Sequence, residues 1–452
     1  MKARNLMLAM LICLFSIPGH GQVELKKHSP DLAGNRALIR EWVYLNTISY
    51  VETKSGKKYF VLEDPALSTA SAALVPDGIT VNDMDIYAEY LYFCGTYTKD
   101  GNTEGIVGIF NIPNLYSWGQ PYYILKLDWQ NILPGTNIRM HKPLKVGCTL
   151  ESSPYGIHIP VVGEIEVKDN AGNITLQTGV CSACINHYLT QWDYGYYCTP
   201  DPNIVFTDIT RTKNHFVAVG RNAASNHTLV KIFDAAHPFT HHPTGSDIYE
   251  VADSITVGDV LVTPLLGDTF ALVNYYQGYT TAGSTIKKFD VTTMNCTLSY
   301  KLQQSLSPVV SSSWNLREIQ YDAINNQILV LQDMDYPIGS TIAPTVCEYD
   351  LATPSNPGMY TLQGYSAYGM GAWSTGGFHT VGDDSGMLTY MRKKGLTLSS
   401  CEQTVSHSHI HESITPNPIP VVDLDVYTPV LTDTLSVAPR ITINLTTDCI
   451  MP

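Results

Sequence analysis

Charge is scarce in this chain. Only 15% of its 452 residues are Asp, Glu, Lys or Arg, and 27 basic residues against 41 acidic ones leave a formal net charge of −14. That deficit of cations argues against nucleic acid and anionic lipid as partners, since both demand a basic face. Helical periodicity of more than two turns is missing beyond the N-terminal segment, which excludes a helical bundle. No later run is apolar enough to cross a bilayer, which takes about 20 residues as a helix. Catalytic fingerprints are missing as well: there is no P-loop, no dinucleotide motif and no EF-hand loop. Gly364-Tyr-Ser-Ala-Tyr-Gly369 is not a nucleophile elbow, because its second glycine comes one place late. No catalytic residue, cofactor-binding residue or metal ligand is assigned, and no cofactor is expected.

What is present begins with a secretory signal. Lys2 and Arg4 form a charged start, Leu6 to Ile17 an apolar stretch, and Gly19-His20-Gly21 a small-residue cleavage site. Residues 1–21 are therefore read as a signal peptide, 22–38 as an N-terminal extension and 39–452 as one folded unit. The expected location is exported: periplasmic, extracellular or at the cell surface. Ten cysteines minus Cys13 leave nine in the exported chain, and in an oxidising compartment several should pair. Cys148, Cys181, Cys184 and Cys198 lie close enough in sequence for two local bridges.

The composition is polar without being ionic, with 28 tyrosines, and favours strands. A hairpin pattern recurs about every 55–60 residues: an apolar run ending near Gly, a turn, then a run closing on an aromatic residue and Asp or Asn. Tyr90 to Gly95 leads to Phe110-Asn111, His215 to Gly220 to Phe233-Asp234, Thr269 to Asn274 to Phe289-Asp290, and Gln327 to Gln332 to Tyr349-Asp350. Projecting the period outward adds Lys57–Asp64 after a Ser55-Gly56 turn, Ile174 onward after Asn170–Asn173, and Leu396–Val405 after the run at Met387. That makes seven hairpins, each with room for two more strands.

Four antiparallel strands repeated in this way specify an all-β fold, a β-propeller of seven blades, with six as the alternative. The tail carries strand-like text such as Val421–Leu431 and Arg440–Thr447. A C-terminal strand is expected to join the N-terminal blade and close the ring, hiding both open edges. This pattern resembles the seven-bladed, WD40-like propellers found among exported bacterial proteins. The resemblance covers about residues 40–452 and rests on architecture alone. It lacks the Trp-Asp endings of WD40 repeats, the kelch double glycines and the sialidase box, so it carries over no functional residue.

Two readings of function stand. The first is an interaction protein, expected as a monomer, that binds a protein or glycan through loops at one end of the ring. Its candidate contact element is the irregular stretch around Cys181–Cys198, with Tyr188, Trp192, Tyr194, Tyr196 and Tyr197 for stacking. The second is a secreted carbohydrate-active hydrolase or lyase with channel-lining carboxylates, drawn from Asp83, Asp85, Asp208, Asp259, Asp333 and Asp335. His407, His409 and His411 alternate on what reads as a strand. Same-face neighbours about 7 Å apart are too far from one another for three to share an ion without bending.

Overall fold

Runs of Val, Ile, Tyr and Phe broken by short polar turns favour antiparallel strands, and these are the regular structure of the described residues. The computed structural model describes residues 24–448 apart from 28–33, 42–46, 54, 64–68, 88, 113–121, 134–135, 148–156, 186–190, 199–202, 235–247, 252–255, 278–280, 306–314, 335–342, 353–357, 362–364, 373–375, 385–386, 395–407, 410–416, 420–423, 432, 436–439 and 445. These residues form seven antiparallel sheets in chain order, here I to VII, and the architecture is a β-propeller.

One strand of each sheet meets its counterparts in the neighbouring sheets and is here called the inner strand: Gly34–Glu41 in sheet I, Ile79–Tyr87 in II, Thr136–Val146 in III, Ile204–Arg211 in IV, Thr256–Pro264 in V, Asn315–Asp322 in VI and Tyr365–Ala372 in VII. Each inner strand touches the next, and the one in sheet VII touches the one in sheet I.

The core is not one mass but a series of apolar layers between successive sheets. Tyr50 and Phe60 of sheet I pack on Phe93 and Phe110 of sheet II. Tyr92 and Ile109 of sheet II pack on Met140 and Ile159 of sheet III. The same arrangement continues through Val219 and Phe270 between sheets IV and V, and through Ile286 and Val330 between V and VI. The recurring aromatic ending acquires its reason here. Phe110, Phe233, Phe289 and Tyr349 are all buried in these layers. The Asp that follows caps the next turn where the chain leaves the strand: Asp290 Oδ1 accepts the Thr293 N–H (2.9 Å) and Asp350 Oδ1 the Ala352 N–H (2.7 Å).

The glycine ending has a different cause. Inner strands II, IV, VI and VII each carry a bulge, with register shifts at Val81/Asp83, Phe206/Asp208, Leu316/Glu318 and Ala367/Gly369. Gly95, Gly220 and Gly382 of the second strands pair with Val81, Phe206 and Ala367, where these bulges begin. A Cβ on Gly220 would lie 1.9 Å from the Val205 carbonyl oxygen, and one on Gly95 2.0 Å from that of Thr80. Gly220→Ala is therefore expected to destabilise the fold by about 1–3 kcal/mol through overpacking against rigid backbone. Chemical denaturation would measure it, and an unchanged midpoint would rule out the close approach.

The expected hairpins at Thr47–Glu63 and Ile157–Ile185 are present. The run at Met387 pairs with the preceding Gly377–Asp384, while its expected hairpin partner Leu396–Val405 lies outside the described residues. The N-terminal stretch read as an extension supplies Glu24–Lys27 as the fourth strand of sheet VII and Gly34–Glu41 as the inner strand of sheet I.

The tail contributes a fifth strand to six sheets in reverse chain order. Ser408–His409 joins sheet V, Asn417–Ile419 sheet IV, Leu424–Leu431 sheet III, Asp433–Leu435 sheet II, Arg440–Asn444 sheet I and Thr446–Asp448 sheet VII. In sheet III this makes six strands, because Gln130–Leu133 also pairs with the inner strand. Among the described residues no helix is long and apolar enough to cross a membrane.

Candidate functional site

A bulge re-aims the side chains that follow it. In sheets II, IV and VI the residue just past the bulge is an acid: Asp83, Asp208 and Glu318. Alternation then places Asp85 two residues on. Sheets I and III add Arg40 and Lys145. These six side chains line one cavity of about 240 Å³ among the inner strands. Between them along the strands, Met84, Ile209 and Ile319 are buried in the layers between sheets.

Arg40 is the hub. Its Nη2 lies 3.4 Å from Asp83 Oδ1 and 3.5 Å from Glu318 Oε1, and its Nη1 donates to its own strand's Ile39 carbonyl at 2.9 Å. It thereby joins sheets I, II and VI, and its Nη1 also reaches the Met370 carbonyl (3.5 Å) of sheet VII, whose inner strand presents Gly369 rather than an acid after its bulge. Lys145 Nζ is 3.8 Å from the same Asp83 oxygen. Burial works against the charge on both cations. For Arg40 the carboxylates of Glu318, Asp83 and Asp85 outweigh it, and for Lys145 those of Asp83, Glu318 and Asp208 do, so both stay protonated with raised pKa.

The acids also fasten neighbouring sheets. Asp83 Oδ2 accepts the Val146 N–H of sheet III (3.0 Å), and Asp208 Oδ2 accepts the Val262 N–H of sheet V (2.8 Å). The bulged residues beside them do the same work. Asn82 Nδ2 donates to the Pro143 carbonyl (2.6 Å), while the Thr207 hydroxyl donates to the Val260 carbonyl (2.7 Å) and accepts its N–H (3.0 Å).

Two acids stand apart from the cations. Among the described residues, no Lys or Arg lies within ion-pair distance of Asp85 or Asp208. Burial pushes the Asp85 carboxyl up to about 6, with Arg40 opposing. It pushes Asp208 up to about 7, with Lys145 and the Val262 N–H opposing. At neutral pH both can hold or release a proton inside the cavity.

The structure thus brings together Asp83, Asp85 and Asp208 from the sequence-level set and leaves the others elsewhere. Asp259 is exposed. Asp333 forms a two-oxygen pair with Arg317 (2.8 and 2.9 Å to Nε). Asp335 lies outside the described residues. Glu318, Arg40 and Lys145 were not singled out from sequence. Aligning Val81-Asn-Asp-Met-Asp85, Phe206-Thr-Asp-Ile-Thr210 and Leu316-Arg-Glu-Ile-Gln320 on the position before each hairpin would have found Glu318.

The aromatic stretch is part strand. Gln191–Cys198 pairs on one side with Ile185–Gly179 and on the other with tail residues Leu431–Leu424, so the backbone of Trp192, Tyr194, Tyr196 and Tyr197 lies within sheet III rather than in a loop. Tyr188 lies outside the described residues. Cys181 and Cys184 are buried on the adjacent strand, and neither is in a disulfide. Three residues apart on a strand, they face opposite sides of the sheet. Burial pushes the Cys181 thiol upward, away from the reactive thiolate. Cys148 and the Cys198 side chain are not among the described features. His409 sits in the tail strand on sheet V, paired with Leu302, while His407 and His411 fall outside the described residues.

No protein-family model matches the chain, and no curated protein is significantly similar to it. Among solved structures it is similar to the Nup133 β-propeller domain of Vanderwaltozyma polyspora, at 10% identity over 82% of this chain and 98% of that one, with a TM-score of 0.33. It is also similar to the phage phi92 endosialidase, at 10% identity over 86% of this chain and 71% of that one, again with a TM-score of 0.33. Likeness of this degree assigns neither an activity nor a ligand to the chain.

Proposed function

We propose that this chain is an exported, monomeric binding protein, a propeller of seven blades that recognises a glycan or protein partner at one end of its ring. Seven inner strands in mutual contact support the blade number. The ring closes where Glu24–Lys27 completes sheet VII beside the last hairpin, so the N-terminal strand is the clasp. The tail does reach sheet I through Arg440–Asn444, but as an outer fifth strand on residues 69–73.

The observation that carries the binding function is the channel cavity itself. Its charged side chains are fixed by neighbouring strands and by each other, which is how a pre-formed recognition pocket is built. At about 240 Å³ it falls just below the usual range of ligand pockets, about 300–1,000 Å³. It therefore suits one small polar moiety, such as a single sugar unit of a larger partner, better than an extended chain.

A hydrolase is the second reading, favoured by the raised Asp85 and Asp208 carboxyls, since glycoside hydrolysis needs one protonated acid beside an ionised one. Against it, Asp83 and Asp208 are tied to the N–H groups of Val146 and Val262. A glycan array combined with a glycosidase screen on the chain from residue 22 separates the two. Binding without turnover is expected, and turnover of any polysaccharide would replace the binder with the enzyme.

A further inference from the structure

The cavity holds more negative than positive side chains: Asp83, Asp85, Asp208 and Glu318 face Arg40 and Lys145. Both cations lean on Asp83, and Arg40 also on Glu318. Asp85 and Asp208 are thus left with no ion-pair partner among the described residues. A second, independent feature marks the same space. Thr210 and Thr263, from the adjacent inner strands of sheets IV and V, line the cavity while only 5% and 4% exposed. Neither hydroxyl has a hydrogen-bond partner among the described residues. Both residues are held in place by burial while they line the cavity, so their hydroxyls are available to a ligand there. A fixed cavity with surplus carboxylate and two idle hydroxyls is complementary to a ligand bearing one positive charge and hydroxyl groups.

We infer that the channel cavity binds a small hydroxylated organic cation, of the class of a protonated amino sugar, with Asp85 and Asp208 supplying the counter-charge and Thr210 and Thr263 hydrogen-bonding its hydroxyls. This rests on the glycan-binding function proposed above and narrows its ligand to a cationic sugar. Arg40, Asp83, Lys145 and Glu318 already satisfy one another and frame the pocket. Since Asp208 holds a proton up to about pH 7 and Asp85 up to about pH 6 in the empty cavity, an incoming ammonium displaces those protons to solvent. Affinity therefore rises from pH 5.5 to about pH 7 and falls again once the sugar's amine loses its own proton.

Glucosamine and glucose are the matched probes, differing in one charge. Titration calorimetry at pH 7 in two buffers of different ionisation enthalpy reads both affinity and proton release. The expected result is that glucosamine binds with release of protons and glucose binds at least tenfold more weakly. Asp85→Asn and Thr263→Val should each weaken glucosamine by tenfold or more, with unchanged circular dichroism and melting as the folding control. Equal affinity for the two sugars would overturn the charge inference and leave the glycan function standing. Silence of both sugars, with other glycans bound on the array, would remove the channel cavity as the site. Unaltered glucosamine binding by both variants would do the same. Silence of both sugars and of the whole array would overturn the glycan function itself.

Discussion

Arg40→Leu is expected to destabilise the protein by about 3–5 kcal/mol, the usual cost of removing one partner from a buried ion pair. The guanidinium is the group that faces both Asp83 and Glu318, and its side chain is only 12% exposed. Leucine fills much of the volume but leaves Glu318 with no cation within reach and Asp83 with Lys145 alone, at 3.8 Å. Those carboxylates must then either stay charged in a poorly solvated channel or take up protons. Loss should therefore be larger at pH 8 than at pH 5, where protonation relieves the uncompensated charge. Arg40→Lys keeps the charge on a group without the planar fork that reaches two acids at once, so an intermediate loss is expected. Urea denaturation of the three proteins at both pH values measures this order. Equal midpoints for wild type and Arg40→Leu would mean that the hub carries no structural charge.

Stability should also fall as pH rises through neutrality, the reverse of what ordinary paired carboxylates produce. The Asp208 carboxyl is raised from 3.8 to about 7 in the folded protein by burial. The folded state therefore holds a proton that the unfolded state has already released above pH 4. Its stabilising effect is complete below the unfolded value and is lost progressively as pH climbs to the folded value, then levels off. Between pH 5 and pH 8 this amounts to about 2–3 kcal/mol at 1.36 kcal/mol per pH unit. Asp85, raised to about 6 by the same cause and nearer solvent, adds a smaller part in the same direction. Asp208→Asn should flatten most of the slope. The amide removes the titration while its one oxygen can still accept the Val262 N–H, at the cost of the Ile209 N–H bond made by the other carboxylate oxygen. Denaturant melts at half-unit steps check it, and a stability that rises from pH 5 to pH 8 would contradict the burial of both acids.

Much of the ring was legible because its signals are local. Period-two apolar runs, the Ser55-Gly56 and Asn170–Asn173 turns and the aromatic-Asp endings each report a hairpin within about 20 residues. The channel site was less legible because it is assembled from single positions on different inner strands, one or two residues per sheet. Asp83 and Asp85 stood out as a pair, but Glu318 sits in Leu-Arg-Glu-Ile-Gln, where Arg317 beside it suggests an ordinary exposed strand. In fact Arg317, the bulged residue between Leu316 and Glu318, turns to Asp333 while Glu318 turns to Arg40. Arg40 itself lies at the end of Gly34-Asn-Arg-Ala-Leu-Ile-Arg-Glu41, whose charges hide an inner strand from any hydrophobic pattern.

The stretch at residues 191–198 was misread for the opposite reason. Its tyrosines and tryptophan are strong strand formers, but the two nearby cysteines and the missing aromatic-Asp ending drew it toward a stapled loop. The strand Glu24–Lys27 has no apolar residue except Leu25, so its place in sheet VII comes from backbone pairing, which leaves no mark in composition.

The central claim is that seven inner strands close on one another and bring side chains from non-adjacent sheets into one cavity. Arg40 of sheet I and Glu318 of sheet VI, with sheet VII between them, can meet only if that is so. A double-mutant cycle with Arg40→Leu, Glu318→Gln and the double variant measures the meeting directly. The expected coupling is about 1–3 kcal/mol, typical of contacting charges in one network. Additive losses, within about 0.5 kcal/mol, would place the two residues apart and contradict both the ring and the site built in it.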